Sequence, residues 1–136
     1  MANINTQNVS EAEEALQLAN KDLIAFGKLF LPDDFLRSET PFFHYEVADS
    51  IDNKEVKQCA IIIPRGHGKT VLTKASMLKD FVFCKDDFLF YAWVSATQKL
   101  SVGNMDYIRH HLEFNDRLKY YFGDLKGKKW TEEDIE

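Results

Sequence analysis

Ile61-Ile62-Ile63-Pro64-Arg65-Gly66-His67-Gly68-Lys69-Thr70 joins a β-branched apolar run to a helical pattern, which is the order of parts in a phosphate-binding P-loop (Walker A). A loop of this kind bends so that successive N–H groups and the N-terminus of the next helix converge on one anion. Gly66 and Gly68 supply the backbone freedom for close approach, Lys69 adds a point charge, and Thr70 offers a hydroxyl to Mg²⁺. The predicted ligand is a nucleoside triphosphate, ATP, with Mg²⁺. Gly66, His67, Gly68, Lys69 and Thr70 are expected to hold the nucleotide, with Thr70 on the metal.

In the pattern G-x-x-x-x-G-K-[ST] the first glycine would be residue 63, which is Ile63. Pro64 is read as setting the strand-to-loop bend in its place. Gly-Lys-Thr alone also fits an ordinary glycine-rich turn. The apolar run before it, the helical pattern after it and the extra glycine favour the phosphate loop.

Upstream, residues 1–9 are polar and aperiodic and predict a flexible leader. Ser10 and Glu13 form a capping box, and Leu16, Ala19, Leu23, Phe26 and Phe30 recur at spacings of three and four, predicting an amphipathic helix that ends before Pro32. Residues 32–41 read as a connecting loop, and Phe43 to about Asn53 as a second helix with Val47, Ala48 and Ile51 inward. Val56 to Ile63 is the first predicted strand. Its apolar end does not alternate with polar residues, so both faces are expected to be covered, as in the centre of a parallel sheet.

Downstream, a helix is predicted from about Lys69 to Phe83, with Leu72, Ala75, Leu78 (or Met77) and Val82 inward. Asp86-Asp87 marks a turn, and Phe88 to Val94 is a second predicted strand, also expected to be buried. Ser95-Ala96-Thr97 caps a third helix carrying Val102, Met105, Ile108 and Leu112 and ending near Asn115. The expected fold is therefore α/β: an incomplete P-loop NTPase-type parallel sheet with flanking helices, preceded by an N-terminal helical segment. Its expected parts are a leader (1–9), a helical segment (10–55), a partial ATPase core (56–123) and a charged tail (124–136).

The 136 residues fit one domain, and 45% hydrophobic with 13% aromatic residues is enough for a core. Eleven Phe against three Met point to large rigid core side chains. A net charge of −5 argues against a domain that wraps nucleic acid with its whole surface; Lys126, Lys128 and Lys129 form the one local basic cluster. Cys59 and Cys84 have no metal or redox spacing and are expected to be buried. No apolar run is long enough to span a membrane, and a soluble intracellular protein is expected.

Hydrolysis would need a carboxylate pair after a neighbouring strand, to hold Mg²⁺ and orient water. No apolar run here is followed by Asp-Glu. Asp86 and Asp87 precede their run, and Glu132, Glu133, Asp134 and Glu136 follow none. The sequence thus predicts nucleotide binding without the visible parts for efficient turnover.

Pro41-Phe42-Phe43-His44-Tyr45-Glu46, then Pro64-Arg65-Gly66-His67-Gly68-Lys69-Thr70, then Val94-Ser95-Ala96-Thr97-Gln98 resembles the N-terminal ATPase region of the tailed-phage terminase large subunit, over roughly residues 20–123. Pro-Arg-Gly-His-Gly-Lys-Thr is the most specific element. The resemblance implies an ATP-driven motor that moves double-stranded DNA into a procapsid, with the portal protein and the small terminase subunit as partners. It implies a place in the host cytoplasm and, transiently, at the portal. It also puts His44 near the adenine-reading position and Arg65 beside the triphosphate, stabilising transition-state charge or signalling nucleotide state. His67 is expected to contribute its backbone N–H. Thr97 and Gln98 could sense phosphate or touch DNA, although helix capping by Ser95 or Thr97 is the simpler role. The family's downstream Asp-Glu strand and nuclease domain have no counterpart here, so the chain reads as the front part of such a protein, or as one piece of a split one. The alternative is a truncated P-loop interaction module that binds nucleotide or a partner without hydrolysis.

Overall fold

The computed structural model describes residues 3–84 and 90–127. Among these residues there are seven helices and no strand. The expected α/β parallel sheet is therefore corrected to an all-helical arrangement. The chain divides into two compact units, Met1–Lys79 and Asp80–Glu136.

The absence of a sheet among the described residues has a physical reason within each unit. A strand exists only as part of a ladder, because its N–H and C=O groups bond across to a neighbour. Among the described residues, each unit contains one apolar run outside its helices, 56–63 in the first and 90–94 in the second, with no second such run in the same unit to pair with. Both runs lack helix and strand assignments. Ile62 is 94% exposed, and Phe90 and Val94 are 86% and 88% exposed. The expectation that these runs are buried on both faces is overturned, as is that for Cys59 and Cys84, which are both exposed. The Asp86-Asp87 turn and the acidic end of the tail lie outside the described residues.

In the first unit, α1 (Asn3–Lys21) begins inside the segment read as a leader. The helix predicted to run on to Phe30 is interrupted. Asp22 leaves helical geometry, with φ −129° and ψ 119°, and its carboxylate accepts from Ile24 N at 2.7 Å and Ala25 N at 3.1 Å, starting α2 (Leu23–Phe30). Two orphan donors are thereby satisfied at the break. Leu23, Ile24, Phe26 and Phe30 of α2 are buried, with the Phe26 and Phe30 rings 5.0 Å apart. α2 packs on α1, on the single-turn α3 (Pro32–Phe35) and on α4 (Phe42–Asp52). Phe35 lies against the face of α2 at Gly27, where a Cβ would come within 2.4 Å of its ring.

α5 (Lys69–Phe83) starts at the glycine loop. It buries Leu72, Ala75, Met77 and Leu78, while Val82, also expected inward, is half-buried. It also buries Lys79, which pairs with Asp52 at the end of α4. α4 and α5 are linked at their other ends too, where His44 meets the loop that opens α5. The two helices thus run in the same direction away from the loop.

In the second unit, Thr97 caps α6 (Gln98–Phe114), accepting from Leu100 N. Asn115 restarts the chain as α7 (Asp116–Phe122), accepting from Arg117 N at 3.0 Å and Leu118 N at 3.1 Å. Ile108, Leu112 and Leu118 are buried, and Phe83 meets Phe122 edge to face at 5.2 Å. Lys126 pairs with Glu113 at 2.7 Å, which satisfies the one described member of the basic cluster.

Candidate phosphate-binding loop and its cleft

Gly66 and Gly68 adopt φ +79° and +81°, the left-handed region that glycine enters without a Cβ penalty. Gly68 O accepts the first bond of α5, from Leu72 N at 2.9 Å, so Gly68 caps the helix and Lys69 is its first residue. The amides of Gly66, Gly68, Lys69 and Thr70 have no acceptor among the described residues. Lys69 folds back over the loop. Its Nζ donates to Ile63 O and, at 3.2 Å, to Pro64 O. The result is a short ring of backbone closed by an ammonium, with unpaired amides at a helix start whose dipole favours negative charge.

Two imidazoles brace this ring. His44, on the first turn of α4, bonds through Nε2 to His67 O at 2.8 Å, and His67 bonds through Nδ1 to Arg65 O at 2.9 Å. Phe43 backs both, with its ring centroid 4.7 Å from His44 and 5.9 Å from His67. A Cβ on Gly68 would fall 2.9 Å from His44 Nε2, so the ring occupies the space that a larger residue at 68 would need.

A cleft of about 590 Å³ opens beside the loop. The loop contributes Gly66, His67 and Gly68, and the rest of the lining comes from Asp34, Phe35, the segment from Arg37 to Pro41, Phe43 and His44, and Val71 and Leu72 of α5. Its volume is in the range of small-molecule sites. Asp34 also faces Lys74 of α5: burial lowers the Lys74 pKa, and the Asp34 carboxylate partly offsets the effect.

The structure therefore brings together His44, Gly66, His67, Gly68 and Lys69. Arg65 and Thr70 belong to the same loop, but their side chains are exposed and make no hydrogen bond or ion pair with the described residues. Lys69 and Thr70 do not line the cleft. Thr97 and Gln98 belong to the other unit, where Thr97 acts as a helix cap. Among the described residues no group of three His, Cys, Asp or Glu could hold a metal ion. No described helix is long and apolar enough to cross a membrane. Sequence reasoning missed the wall from Arg37 to Thr40. Its signal was a polar connection ending at Pro41, which placed a loop without saying what the loop faces. Comparison with protein-family models, curated proteins and solved structures gives no match.

Proposed function

We propose that residues 64–70 bind the phosphate chain of a nucleoside triphosphate, with the nucleoside directed along the cleft toward Arg37 and Phe43. The observation that carries this reading is Lys69, which reaches back across two positive-φ glycines to the carbonyls of Ile63 and Pro64 while the surrounding amides lack acceptors. An arriving phosphate would exchange those carbonyl contacts for charge-assisted bonds from Lys69 and the amides. Arg65, exposed on the loop, is available to a terminal phosphate. Thr70, in the first turn of α5, would offer its hydroxyl to Mg²⁺; a magnesium ion carried on the phosphates with its own water would spread their charge and needs few protein ligands.

ATP is the nucleotide of the terminase motor that the loop sequence resembles. On that reading these residues form the nucleotide-binding portion of a DNA-packaging ATPase that acts with double-stranded DNA, the portal protein and the small terminase subunit in the host cytoplasm and, transiently, at the procapsid portal. The all-helical arrangement restricts the proposal to binding. The residues that would orient attacking water are not supplied by any apolar run of this sequence.

Titration calorimetry with MgATP tests the proposal. Binding at micromolar to millimolar nucleotide, weakened at least about tenfold by Lys69→Ala through loss of a charge-assisted contact, is the expected result. No heat at millimolar MgATP would reject it. The exposure of Ile62, Phe90 and Val94 favours a second reading, an interaction module that presents apolar chain to a partner. Partner binding that persists in Lys69→Ala without any nucleotide affinity would select it.

A further inference from the structure

The carbonyl preceding each of the two positive-φ glycines of the loop is held by an imidazole: His67 O, before Gly68, by His44, and Arg65 O, before Gly66, by His67. A carbonyl oxygen can only accept, so each ring must carry a proton on the bonded nitrogen, Nε2 of His44 and Nδ1 of His67. The described peptides are all trans, and in a trans peptide the C=O and the following N–H point in opposite directions. Fixing the carbonyl of residue 67 thus turns the Gly68 N–H away from His44. Fixing the carbonyl of residue 65 turns the Gly66 N–H away from the His67 ring.

Glycine peptides need such restraint more than others, since without a Cβ the chain can rotate through alternative φ values at little cost. His44 adds a steric restraint, because its ring fills the volume next to Gly68. We infer that His44 and His67 are positioning residues that preset the Gly68 and Gly66 amides for an anion, in place of an adenine-reading or proton-transferring role. The inference rests on the phosphate reading above for the identity of the anion. The orientation of the loop itself stands on the two bonds.

The test uses the full chain. Imidazole ¹⁵N spectra without ligand should show neutral His44 protonated at Nε2 and neutral His67 at Nδ1, and the ¹⁵N–¹H heteronuclear NOE of Gly68 should be that of ordered backbone. His44→Ala should lower that NOE and raise the Kd for MgATP about tenfold, the scale of one lost hydrogen bond in a polar site. His44→Gln, whose amide nitrogen can donate to the same carbonyl, should restore the NOE and bring the Kd to within about threefold of wild type. This second variant keeps the test informative if His44→Ala does not fold. The opposite tautomers would overturn the inference, as would wild-type NOE and Kd in His44→Ala, or a defect that Gln fails to rescue. If wild type binds no MgATP at millimolar concentration while the tautomers and NOE values are as expected, the nucleotide reading falls and the positioning role stands.

Discussion

Lys79 of α5 and Asp52 at the end of α4 form an ion pair in which the lysine and aspartate side chains are 7% and 16% exposed. Only one carboxylate oxygen is engaged: Oδ1 of Asp52 is buried without a partner. An ion pair at this depth gives little net stabilisation, but removing one member leaves the other charge desolvated. Lys79→Met is expected to destabilise the protein by about 3 kcal/mol, and the double variant with Asp52→Leu to recover most of that loss. Urea denaturation of the wild type, single and double variants measures the cycle. Equal stability of Lys79→Met and wild type would show that the pair is not formed.

The two loop glycines should respond unequally to alanine. Gly66 has φ +79° with open space around its Cβ position, so Gly66→Ala carries backbone strain alone, about 1–2 kcal/mol. Gly68 combines φ +81° with a Cβ site 2.9 Å from His44 Nε2. Gly68→Ala must therefore displace His44 as well, and is expected to lose more stability and more nucleotide affinity than Gly66→Ala. Parallel denaturation and calorimetry rank the two; the reverse order would contradict the packing of His44.

Asp22→Ala removes the acceptor for Ile24 N and Ala25 N at the break between α1 and α2. The expected cost is about 1 kcal/mol, that of a lost helix cap. Asp22→Ser should retain most of the stability, and thermal unfolding followed by circular dichroism distinguishes the two variants.

Lys74 carries a lowered pKa, chiefly from burial, with Asp34 opposing the shift. A lysine whose folded pKa lies below its unfolded value binds fewer protons when folded, so its contribution makes stability rise with pH in the window between the two values, beneath the ordinary lysine pKa of 10.5. Below that window its cost is constant. Lys74→Met should flatten the alkaline rise and stabilise the protein modestly near neutrality. Urea midpoints from pH 7 to 10.5 in both proteins check the sign, and a steeper rise in the variant would refute it.

The helices were the legible part of the fold, because a 3.6-residue repeat is a local signal. α4, α5 and α6 begin and end within about two residues of their expected positions. The break at Asp22 was hidden because the spacing of Ala19, Leu23, Phe26 and Phe30 continues across it. Ile61 to Ile63 misled for a different reason. An apolar β-branched run states what a segment prefers beside a neighbouring strand, and the described residues of neither unit supply one. At the site, Gly66, Gly68 and the helix start at Lys69 were readable from consecutive residues. The His44 bond to His67 spans 23 positions, and the wall from Arg37 to Thr40 carries no motif. Proximity across the fold was the information the linear pattern lacked.

The run from Cys59 to Ile63, with Cys59, Ala60 and Ile62 exposed and Ile61 and Ile63 half-buried, has a colloidal consequence. Five uncharged residues, four of them Ala or Ile and the last three β-branched, are the type of segment that recruits another molecule into intermolecular β-pairing. Lys57 stands two residues before the run and Pro64 directly after it, where a charge and a missing N–H act as gatekeepers. Pro64 cannot donate to an incoming strand, so a ladder that begins at the isoleucines stops before Arg65. One proline thereby separates the segment most prone to self-association from the loop that must remain free for its ligand.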